Sequence, residues 1–496
     1  MLDYPAVGPA LRILMVVSEV APYSKTGGLG DVGGALPAAL ARLGHQVTVV
    51  SPRYRGVETG RVVARFEPGA WPGAPAWTIH AAQDAGSLQF WFLDCPDYFA
   101  RDGLYGAGAG DFPDNHLRFG FLARAALEGA ARLEGGADVL HAHDWQAGLA
   151  PVYLRTRYGA SRAFTGTGAV FTIHNLSYQG LFRRRVLPAL DLGEEVFTPQ
   201  GLEYWGDASF LKGGIAFADI VTTVSRRYAQ EIQTPEQGFG FEGILQGRSS
   251  VLVGIPNGID TDIWNPATDP HLPEPFESGH LEGKLAAKRA LLERFGMASG
   301  EQRVRPLIGM VSRMVDQKGL DLIAASAEQL MRLDATWIVL GTGEAHYESM
   351  WRSLAVRHPD RVGVTIGFSE ELAHLIEGGA DLFLMPSKFE PCGLNQMYSL
   401  RYGTVPVVRA TGGLDDTVQQ VDGQTGRGTG FKFGDYTPAG LLAVLQESLR
   451  WYGRPDAWRQ IQEEGMRQDH SWDASARRYV AAYERARQAR AASGGR

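Results

Sequence analysis

Residues 11–50 read LRILMVVSEVAPYSKTGGLGDVGGALPAALARLGHQVTVV. The apolar run Leu11–Val17, rich in β-branched residues, predicts a buried strand. Glycines at Gly27–Gly30 interrupt the pattern, Val32–Leu43 predicts a helix, and Gln46–Val50 predicts a second strand. A strand, a helix and a strand in this order form the βαβ unit of a parallel sheet.

The same alternation continues through most of the chain. Further apolar runs predict strands at Gln89–Leu93, Val139–His141, Ala169–Ile173, Ile220–Val224, Val251–Ile255, Leu307–Val311, Thr336–Leu340, Val362–Ile366, Leu382–Met385 and Val405–Val408. Near-continuous apolar strands separated by helices are typical of parallel sheets covered on both faces. The sequence therefore predicts the α/β class, with Rossmann-like, doubly wound domains.

A proline-rich connector, Pro256–Pro275, separates two series of strands. We therefore predict an N-terminal domain over residues 1–256 and a C-terminal domain over 257–470. A final helix is predicted over Ser471–Ala491, with Ser471 as its N-cap, within a closing segment 471–496. Because ligands of open α/β sheets bind at the carboxyl ends of the strands, we expect two facing domains to share a cleft site.

Composition narrows the functional class. The 496 residues are 44% hydrophobic and 21% charged, as in globular proteins of several domains. A net charge of −7 argues against a nucleic-acid-binding protein, which would carry a basic excess. Two cysteines, Cys95 and Cys392, make no disulfide framework. With neither a membrane-spanning run nor a targeting peptide, we expect a soluble cytoplasmic protein.

A glycine-rich loop, Lys25-Thr26-Gly27-Gly28-Leu29-Gly30-Asp31, follows the first strand. Glycines let a backbone approach a ligand closely, and the N-terminus of the next helix suits a phosphate, to which Lys25 adds a full charge. The spacing is neither the dinucleotide fingerprint nor a Walker A loop. A plain tight turn between strand and helix is the alternative interpretation.

Two cations, Arg313 and Lys318, follow the strand Leu307–Val311, and a helix is predicted to start near Gly319. Together a guanidinium fork, an ammonium and a helix dipole would bind an anion, although two solvated surface cations are the commoner outcome.

Glu390-Pro391-Cys392-Gly393-Leu394-Asn395-Gln396 follows another strand, and a helix is predicted from Gly393. A carboxylate at this position can hold sugar hydroxyls or balance a cationic transition state, whereas a lone loop glutamate is more often solvated. We interpret Cys392 as buried or as a passive part of a site wall, since no histidine lies nearby in sequence to activate it.

Histidines mark two other strand ends, in His141-Ala142-His143-Asp144-Trp145 and Thr172-Ile173-His174-Asn175-Leu176. Two histidines alone do not make a metal site, so we expect no metal here. Asp144 and Trp145 would suit a carbohydrate, with the indole stacked on a sugar ring; packing of Trp145 beneath the sheet edge is the alternative. For His174 the alternative is a core histidine bonded to a backbone carbonyl.

Three weaker features complete the set of candidates. Gly341-Thr342-Gly343 is a candidate loop for close approach to a ligand, and Thr411-Gly412-Gly413-Leu414 is a candidate nest of backbone N–H groups. Asn257-Gly258 predicts a turn. The Asp260-x-Asp262 pattern that follows is expected by chance at this aspartate content, so we do not interpret it as a metal motif.

Taken together, these motifs resemble the bacterial glycogen synthase and starch synthase family, and they occur in the family's order over nearly the whole chain. The resemblance implies a retaining glucosyltransferase of the GT-B type, with a C-terminal helix that crosses back to the first domain. It implies ADP-glucose as donor, an α-1,4-glucan as acceptor, and no metal or other cofactor. Neither nucleic acid nor a membrane is an implied partner.

The resemblance also implies residue roles. Lys25, Arg313 and Lys318 would hold the diphosphate, and His174, Asn257 and Glu390 the glucosyl unit. The other implied substrate-binding residues are Gly27, Gly28, Asp31, Asp144, Trp145, Asn175, Gly341, Phe368, Cys392, Gly393, Leu394, Thr411, Gly412 and Gly413. Of these, Asp144 and Trp145 would lie near the acceptor, and Phe368 would stack on the nucleobase.

Four positions depart from the patterns of the family or its wider class. Tyr398 stands where many relatives of the wider class carry a second glutamate, so other groups must bind the ribose. Lys388 replaces a common arginine, Phe368 a common tyrosine and Asn395 a frequent threonine. Phe368 should keep the stacking and lose any hydroxyl contact.

Three alternative functions remain open on the sequence. One is another retaining nucleotide-sugar glucosyltransferase of the sucrose or sugar-phosphate type. A second is a phosphorylase, for which we find no pyridoxal-phosphate fingerprint. The third is a non-catalytic glucan-binding protein, which does not explain why Lys25, Arg313 and Lys318 lie at strand ends, since a neutral glucan needs no cluster of cations.

Overall fold

The computed structural model describes residues 9–82, 86–108, 110–297 and 305–494, and the chain divides into two compact units. The first unit comprises Met1–Val224, Ala229–Gly258 and Trp472–Arg496, and the second comprises Ser225–Tyr228 and Ile259–Ser471. Each unit is built around a sheet of mainly parallel strands. The described residues contain no helix long and apolar enough to cross a membrane.

The first unit holds a nine-stranded sheet in the order β14-β13-β9-β8-β1-β2-β5-β4-β3. Its strands are β1 (Arg12–Val16), β2 (Gln46–Pro52), β3 (Val62–Phe66), β4 (Trp77–Ala81), β5 (Leu88–Asp94), β8 (Val139–His143), β9 (Gly168–Ile173), β13 (Ile220–Thr223) and β14 (Leu252–Gly254). Only β3–β4 and β4–β5 pair antiparallel among these described strands. Two small antiparallel sheets join β6 (Gly106–Ala107) with β7 (Gly110–Asp111), and β10 (Leu181–Arg183) with β12 (Asp207–Ser209) and β11 (Glu203–Tyr204).

The second unit holds a six-stranded, all-parallel sheet in the order β17-β16-β15-β18-β19-β20. Its strands are β15 (Leu307–Val311), β16 (Thr336–Gly341), β17 (Val362–Ile366), β18 (Leu382–Met385), β19 (Val405–Arg409) and β20 (Phe431–Phe433). The order runs outward in both directions from β15 and β18, as in doubly wound folds. The predicted fold class is confirmed.

Helices connect the parallel strands. In chain order they are α1 (Gly28–Arg42), α2 (Pro96–Phe99), α3 (Asn115–Leu133), α4 (Asp144–Ala147), α5 (Leu149–Thr156), α6 (Phe210–Phe217), α7 (Arg226–Glu231), α8 (Glu242–Gly247), α9 (Glu282–Arg294), α10 (Leu320–Leu330), α11 (Ala345–Arg357), α12 (Glu370–Gly379), α13 (Asn395–Arg401), α14 (Gly412–Thr417), α15 (Pro438–Tyr452), α16 (Pro455–Met466) and α17 (Trp472–Gly494). The connector 256–275 carries neither helix nor strand.

Every run predicted as a strand is a strand, with ends that differ by at most two residues. Two helix starts were predicted wrongly. Helix α1 begins at Gly28 instead of Val32, so Gly28 and Gly30, which were predicted to interrupt the pattern, lie in the first turn of the helix. Helix α13 begins at Asn395 instead of Gly393, whose φ of +71° is left-handed.

Candidate functional site

In the first unit, the carboxyl ends of four parallel strands of one sheet carry candidate residues. Strand β1 leads to Lys25, β8 to Asp144, β9 to His174 and β14 to Asn257. Carboxyl ends of parallel strands share one edge of a sheet, so the topology brings these segments to the same edge.

Glu19 organises the glycine-rich loop, although the sequence did not single it out. Its side chain is buried and accepts hydrogen bonds from Thr26 N at 2.5 Å, Thr26 Oγ1 at 2.7 Å and Gly27 N at 3.3 Å. Tyr105 donates its hydroxyl to the same carboxylate at 2.5 Å. The carboxylate therefore occupies two amides of the loop that was predicted to approach a ligand closely.

The glycines of this loop serve two different purposes. A Cβ on Gly33 or Gly34 would lie 2.3 Å or 2.6 Å from a carbonyl oxygen of residues 19–21, so these two glycines let helix α1 approach the preceding loop. A Cβ on Gly27 would have nothing within 4 Å. Space beside Gly27 is thus open to a ligand. Lys25 Nζ lies 2.6 Å from Asp31 Oδ1, in an exposed ion pair that a phosphate can replace at small cost.

Two histidines from adjacent strands meet at the ends of β8 and β9. His143 Nδ1 lies 2.9 Å from His174 Nε2. Burial lowers the pKa of His143 well below its usual value and that of His174 to about 3, so both rings are neutral at pH 7. His141 is engaged elsewhere, by Thr172 Oγ1 at 2.6 Å and Tyr483 OH at 2.8 Å.

Asp144 fixes the backbone of the next strand end. Its Oδ1 accepts the His174 N–H at 2.7 Å, and its φ of 53° is left-handed. Burial raises the pKa of Asp144 to about 7, although backbone hydrogen bonds from His174 and Asn175 oppose that rise. These contacts give Asp144 a structural role in addition to the contact with the acceptor glucan that the resemblance implied.

Two other first-unit candidates, Trp145 and Asn257, are buried. The Trp145 ring packs edge-on against Phe119, with ring centroids 5.0 Å apart, and is only 8% exposed. This burial favours the packing interpretation over stacking on a sugar. Asn257 is also buried, and its Oδ1 has no hydrogen-bond partner among the described residues. An unsatisfied buried acceptor is unusual and fits a group that awaits a ligand donor.

In the second unit, a cation and a carboxylate meet where β15 and β18 end. Lys318 Nζ lies 2.6 Å from Glu390 Oε2, and Ser387 Oγ donates to the same oxygen at 2.9 Å. Glu390 is 6% exposed. Arg313 is exposed, and its Nη2 donates to Gln317 Oε1 at 3.2 Å. The arrangement offers an anion the Arg313 fork and leaves Oε1 of Glu390 for a polar partner.

Two glycine loops predicted to face a ligand instead pack on neighbouring backbone. A Cβ on Gly413 would lie 1.9 Å from the Cys392 carbonyl oxygen, and the Gly413 N–H already donates to Glu390 O at 3.1 Å. The nest predicted at Thr411–Leu414 is therefore used at Gly413 to hold the Glu390 loop. Similarly, a Cβ on Gly341 would lie 1.9 Å from Ser312 O, so Gly341 supports the Arg313 loop.

Phe368 follows the end of β17 and is 91% exposed. A large apolar ring so exposed at a strand's carboxyl end is available to stack on a flat ligand, as the resemblance implied. Cys392 is buried, in agreement with its interpretation as a non-nucleophile. Gly393 is held by Gln396, whose Nε2 donates to its carbonyl oxygen at 3.1 Å.

Within the described ranges, no group of three or more His, Cys, Asp or Glu side chains is placed to hold a metal ion.

A sizeable cavity lies away from the motifs. A cavity of about 750 Å³ in the first unit is lined by Pro199, Gln200, Glu203, Tyr204, Trp205, Lys212, Ala216, Gly240, Ile244, Gly247 and Arg248. None of these is a predicted site residue, so cavity size alone would not have led to the site.

Sequence reasoning missed Glu19, Tyr105 and Ser387. Glu19 is a charged residue that interrupts an apolar stretch directly after a strand, and that signal could have marked it. Tyr105 lies 86 residues from Glu19 in a segment without periodicity, so only the fold reveals the contact. Ser387 lies three residues before Glu390, close enough for a local side-chain bond.

Comparisons with known proteins agree with these features. The model of the starch synthase catalytic domain matches residues 12–247, and that of glycosyl transferases group 1 matches residues 297–460. The chain is 46% identical to a glycogen synthase of Koribacter versatilis, over 97% of this chain and 99% of the relative. It is 50% identical to a glycogen synthase of Anaeromyxobacter dehalogenans, over 95% of this chain and 99% of the relative.

Solved structures show the same likeness. The catalytic domain of starch synthase IV from Arabidopsis thaliana, bound to ADP and acarbose, has a TM-score of 0.85 and 33% identity, covering 97% of this chain and 100% of that one. A sucrose-phosphate synthase from Thermosynechococcus elongatus has a TM-score of 0.57 at 16% identity over 95% of this chain and 98% of that one, and shares the fold alone.

Proposed function

Because this chain belongs to the family of bacterial glycogen synthases and starch synthases, we propose that it transfers glucose from ADP-glucose to the non-reducing end of an α-1,4-glucan, with retention of configuration. The chain is a glucosyltransferase. Its donor, its acceptor and the stereochemistry are the parts of this proposal that need tests of their own.

One observation carries the proposal: Lys318 and Glu390 lie 2.6 Å apart at strand ends, and Arg313 lies on the same loop as Lys318. A nucleotide-sugar donor combines an anionic diphosphate with a polyhydroxyl ring. Arg313 and Lys318 suit the first part, and the free oxygen of Glu390 suits the second. A glucan-binding protein would have no use for the cations, since a glucan is neutral.

We assign the roles within each unit from the same chemistry. Arg313 and Lys318 stabilise the diphosphate as it gains negative charge on departure. Glu390 accepts from sugar hydroxyls, and Phe368 stacks on the adenine. In the first unit, Lys25 contributes a further cation for phosphate, while His174 and Asn257 hold the glucosyl unit.

Retention of configuration is consistent with a route in which the acceptor hydroxyl attacks the anomeric carbon on the face from which the diphosphate leaves, through an oxocarbenium-like state. A double displacement needs a nucleophile behind the anomeric carbon. Glu390 already shares Oε2 with Lys318 and Ser387, and Asp144 is committed to the His174 backbone. Neither is a convincing nucleophile, so the leaving phosphate oxygen would take the proton of the acceptor hydroxyl.

We also propose that turnover needs no divalent metal, because Arg313, Lys318 and Lys25 supply the positive charge that a metal would supply. The measurement is glucosyl transfer in excess EDTA. Unchanged turnover supports the proposal. Loss of turnover that magnesium or manganese restores contradicts it.

The direct test is incubation with ADP-glucose or UDP-glucose plus maltooligosaccharide, with nucleotide release and chain length as readouts. ADP release with chain extension supports the proposal. Release of UDP alone would show that the donor is UDP-glucose. Binding of the glucan without turnover would indicate a glucan-binding protein.

Arg313→Ala tests the proposed role of the cation. We expect kcat to fall by roughly 100–1000-fold with a smaller rise in KM, as for the loss of one preorganised donor. Arg357→Ala is the matched control, because Arg357 is a surface arginine on α11 that pairs with Glu328 at 2.8 Å. Equal losses in both variants would contradict the assignment.

Glu390→Ala with azide tests the same-face route. We expect impaired turnover and no β-glucosyl azide, because no nucleophile behind the anomeric carbon is being replaced. Recovery of that azide product, or of a glucosyl adduct on Glu390 or Asp144, would establish a double displacement instead.

A further inference from the structure

The contact between His143 and His174 constrains where their protons lie. Their nitrogens Nδ1 and Nε2 are 2.9 Å apart, and the two ring planes are inclined by 27°. Each neutral imidazole has one N–H donor and one bare acceptor nitrogen. A hydrogen bond between two neutral rings therefore needs one ring to donate and the other to accept.

The surroundings of His143 decide which ring donates. Its side chain is fully buried, and Nε2 has no hydrogen-bond partner in the described part of the chain. The adjacent His141 ring cannot serve as one, since both of its nitrogens bond elsewhere. A proton on Nε2 of His143 would be a buried N–H donor without a partner, whereas a proton on Nδ1 leaves only a bare lone pair on Nε2. Buried N–H groups without a partner are the rarer of the two in proteins, which favours the proton on Nδ1.

We propose that His143 is a positioning residue: it donates Nδ1–H to Nε2 of His174 and thereby fixes the proton of His174 on Nδ1, so that His174 presents a hydrogen-bond donor to the substrate. The tautomer of one histidine nitrogen is set by the bond that the other makes. His174 is half-buried, and its Nδ1 makes no hydrogen bond to any described residue, so this nitrogen is available to a ligand.

Two further contacts hold the arrangement in place. The His174 N–H donates to Asp144 Oδ1 at 2.7 Å, which fixes the main chain under the ring. Burial keeps both rings neutral, as their lowered pKa values indicate. A charged His174 would point an N–H at the N–H of His143, so the geometry itself opposes an imidazolium there.

The consequence for substrate recognition rests on the proposed function. A fixed donor on His174 selects an acceptor lone pair, such as that of a glucosyl hydroxyl oxygen, and it cannot act as a general base at Nδ1. His174 would orient the sugar and would not remove a proton from it.

The tautomer is measurable without any substrate. In protein labelled with ¹⁵N-histidine, long-range ¹H–¹⁵N correlations distinguish the protonated from the bare ring nitrogen, and His174→Gln assigns the signals. We expect His174 to carry its proton on Nδ1, unchanged from pH 6 to pH 8. A proton on Nε2, or a mixture of both forms, would overturn the proposal even if the protein proves to use ADP-glucose.

Two substitutions at His143 test its role in turnover. His143→Asn retains an amide N–H that can donate to His174, whereas His143→Leu removes the donor and keeps an apolar side chain. We expect the leucine variant to show both His174 tautomers and a kcat lower by about tenfold, with unchanged affinity for ADP. The asparagine variant should retain the Nδ1–H form and most of kcat.

The two histidine variants also separate positioning from packing. Equal losses of kcat in both, with the His174 tautomer unchanged, would assign His143 to packing and overturn the proposal. A leucine variant with a mixed tautomer and normal kcat would overturn the positioning role. If the leucine variant does not fold, the wild-type spectrum and the asparagine variant decide.

Discussion

Replacement of Glu19 should separate its hydrogen bonds from its charge. Oε2 accepts from the Thr26 and Gly27 amides, while Oε1 accepts from the hydroxyls of Thr26 and Tyr105. A glutamine can reproduce this pattern, because its oxygen can face the two amides and its NH₂ group can donate to hydroxyls, which also accept. An alanine leaves both amides without an acceptor. Tyr105 OH can still bond Ser18 Oγ, 2.8 Å away.

The cost of Glu19→Ala follows from these contacts. Two amides left without an acceptor cost about 1–3 kcal/mol, because Thr26 and Gly27 are exposed and water can reach part of the space. In a unit of this size that corresponds to a fall in Tm of roughly 2–12 °C. Glu19→Gln should cost about 1 kcal/mol or less, since only the charge assistance is lost.

Thermal unfolding of both variants without ligand gives the comparison, and amide hydrogen exchange at Thr26 and Gly27 locates the effect. We expect faster exchange there in Glu19→Ala and nearly native protection in Glu19→Gln. Equal falls in Tm for the two variants would refute the hydrogen-bond argument and show that the charge itself stabilises the loop.

Three further predictions concern separate features of the site. Gly27→Ala should leave Tm within about 2 °C of the wild type and raise KM for ADP-glucose. Gly33→Ala should lower Tm, because its Cβ would lie 2.3 Å from Glu19 O. A lower Tm for Gly27→Ala would contradict the statement that the space beside Gly27 is open. Phe368→Ala should weaken ADP binding by about tenfold without changing Tm, and Phe368→Tyr should restore it, as calorimetry would show. The pKa of Asp144 is raised to about 7 by burial, so between pH 4 and pH 7 the folded state holds a proton that the unfolded state has lost, and stability falls as pH rises. Asp144→Asn should remove this dependence of stability on pH, so that the Tm of the variant relative to the wild type rises from pH 5 to pH 8. A difference in Tm that stays constant over this range would contradict the raised pKa of Asp144.

Most of the strands were predictable because they are apolar along their length and buried on both faces, as in β15 and β16. The elements that were missed lack this signal. Strand β3, at the sheet edge, has exposed and half-buried residues without alternation, and β10 to β12 are only two or three residues long. Their pairing depends on contacts that no local pattern records.

The site was predictable as a set of segments and less so as individual atoms. Sequence reasoning placed Arg313, Lys318 and Glu390 at strand ends, where the structure has them. The sequence alone could not show whether a given glycine makes room for a ligand or for neighbouring backbone. Gly27 faces open space, while Gly413 faces a carbonyl oxygen at 1.9 Å, and both occur in glycine pairs after a strand. Only the three-dimensional neighbours distinguish room for a ligand from close packing of backbone.

Helix α17 gives the chain a particular order of synthesis and folding. Tyr479 and Tyr483 on this helix are fully buried in the core of the first unit, and Tyr483 bonds His141 on β8. A ribosome makes these residues only after the whole second unit. The first unit therefore keeps an open groove beside β9 until residues 472–494 emerge. A chain truncated before residue 472 cannot complete the core of the first unit.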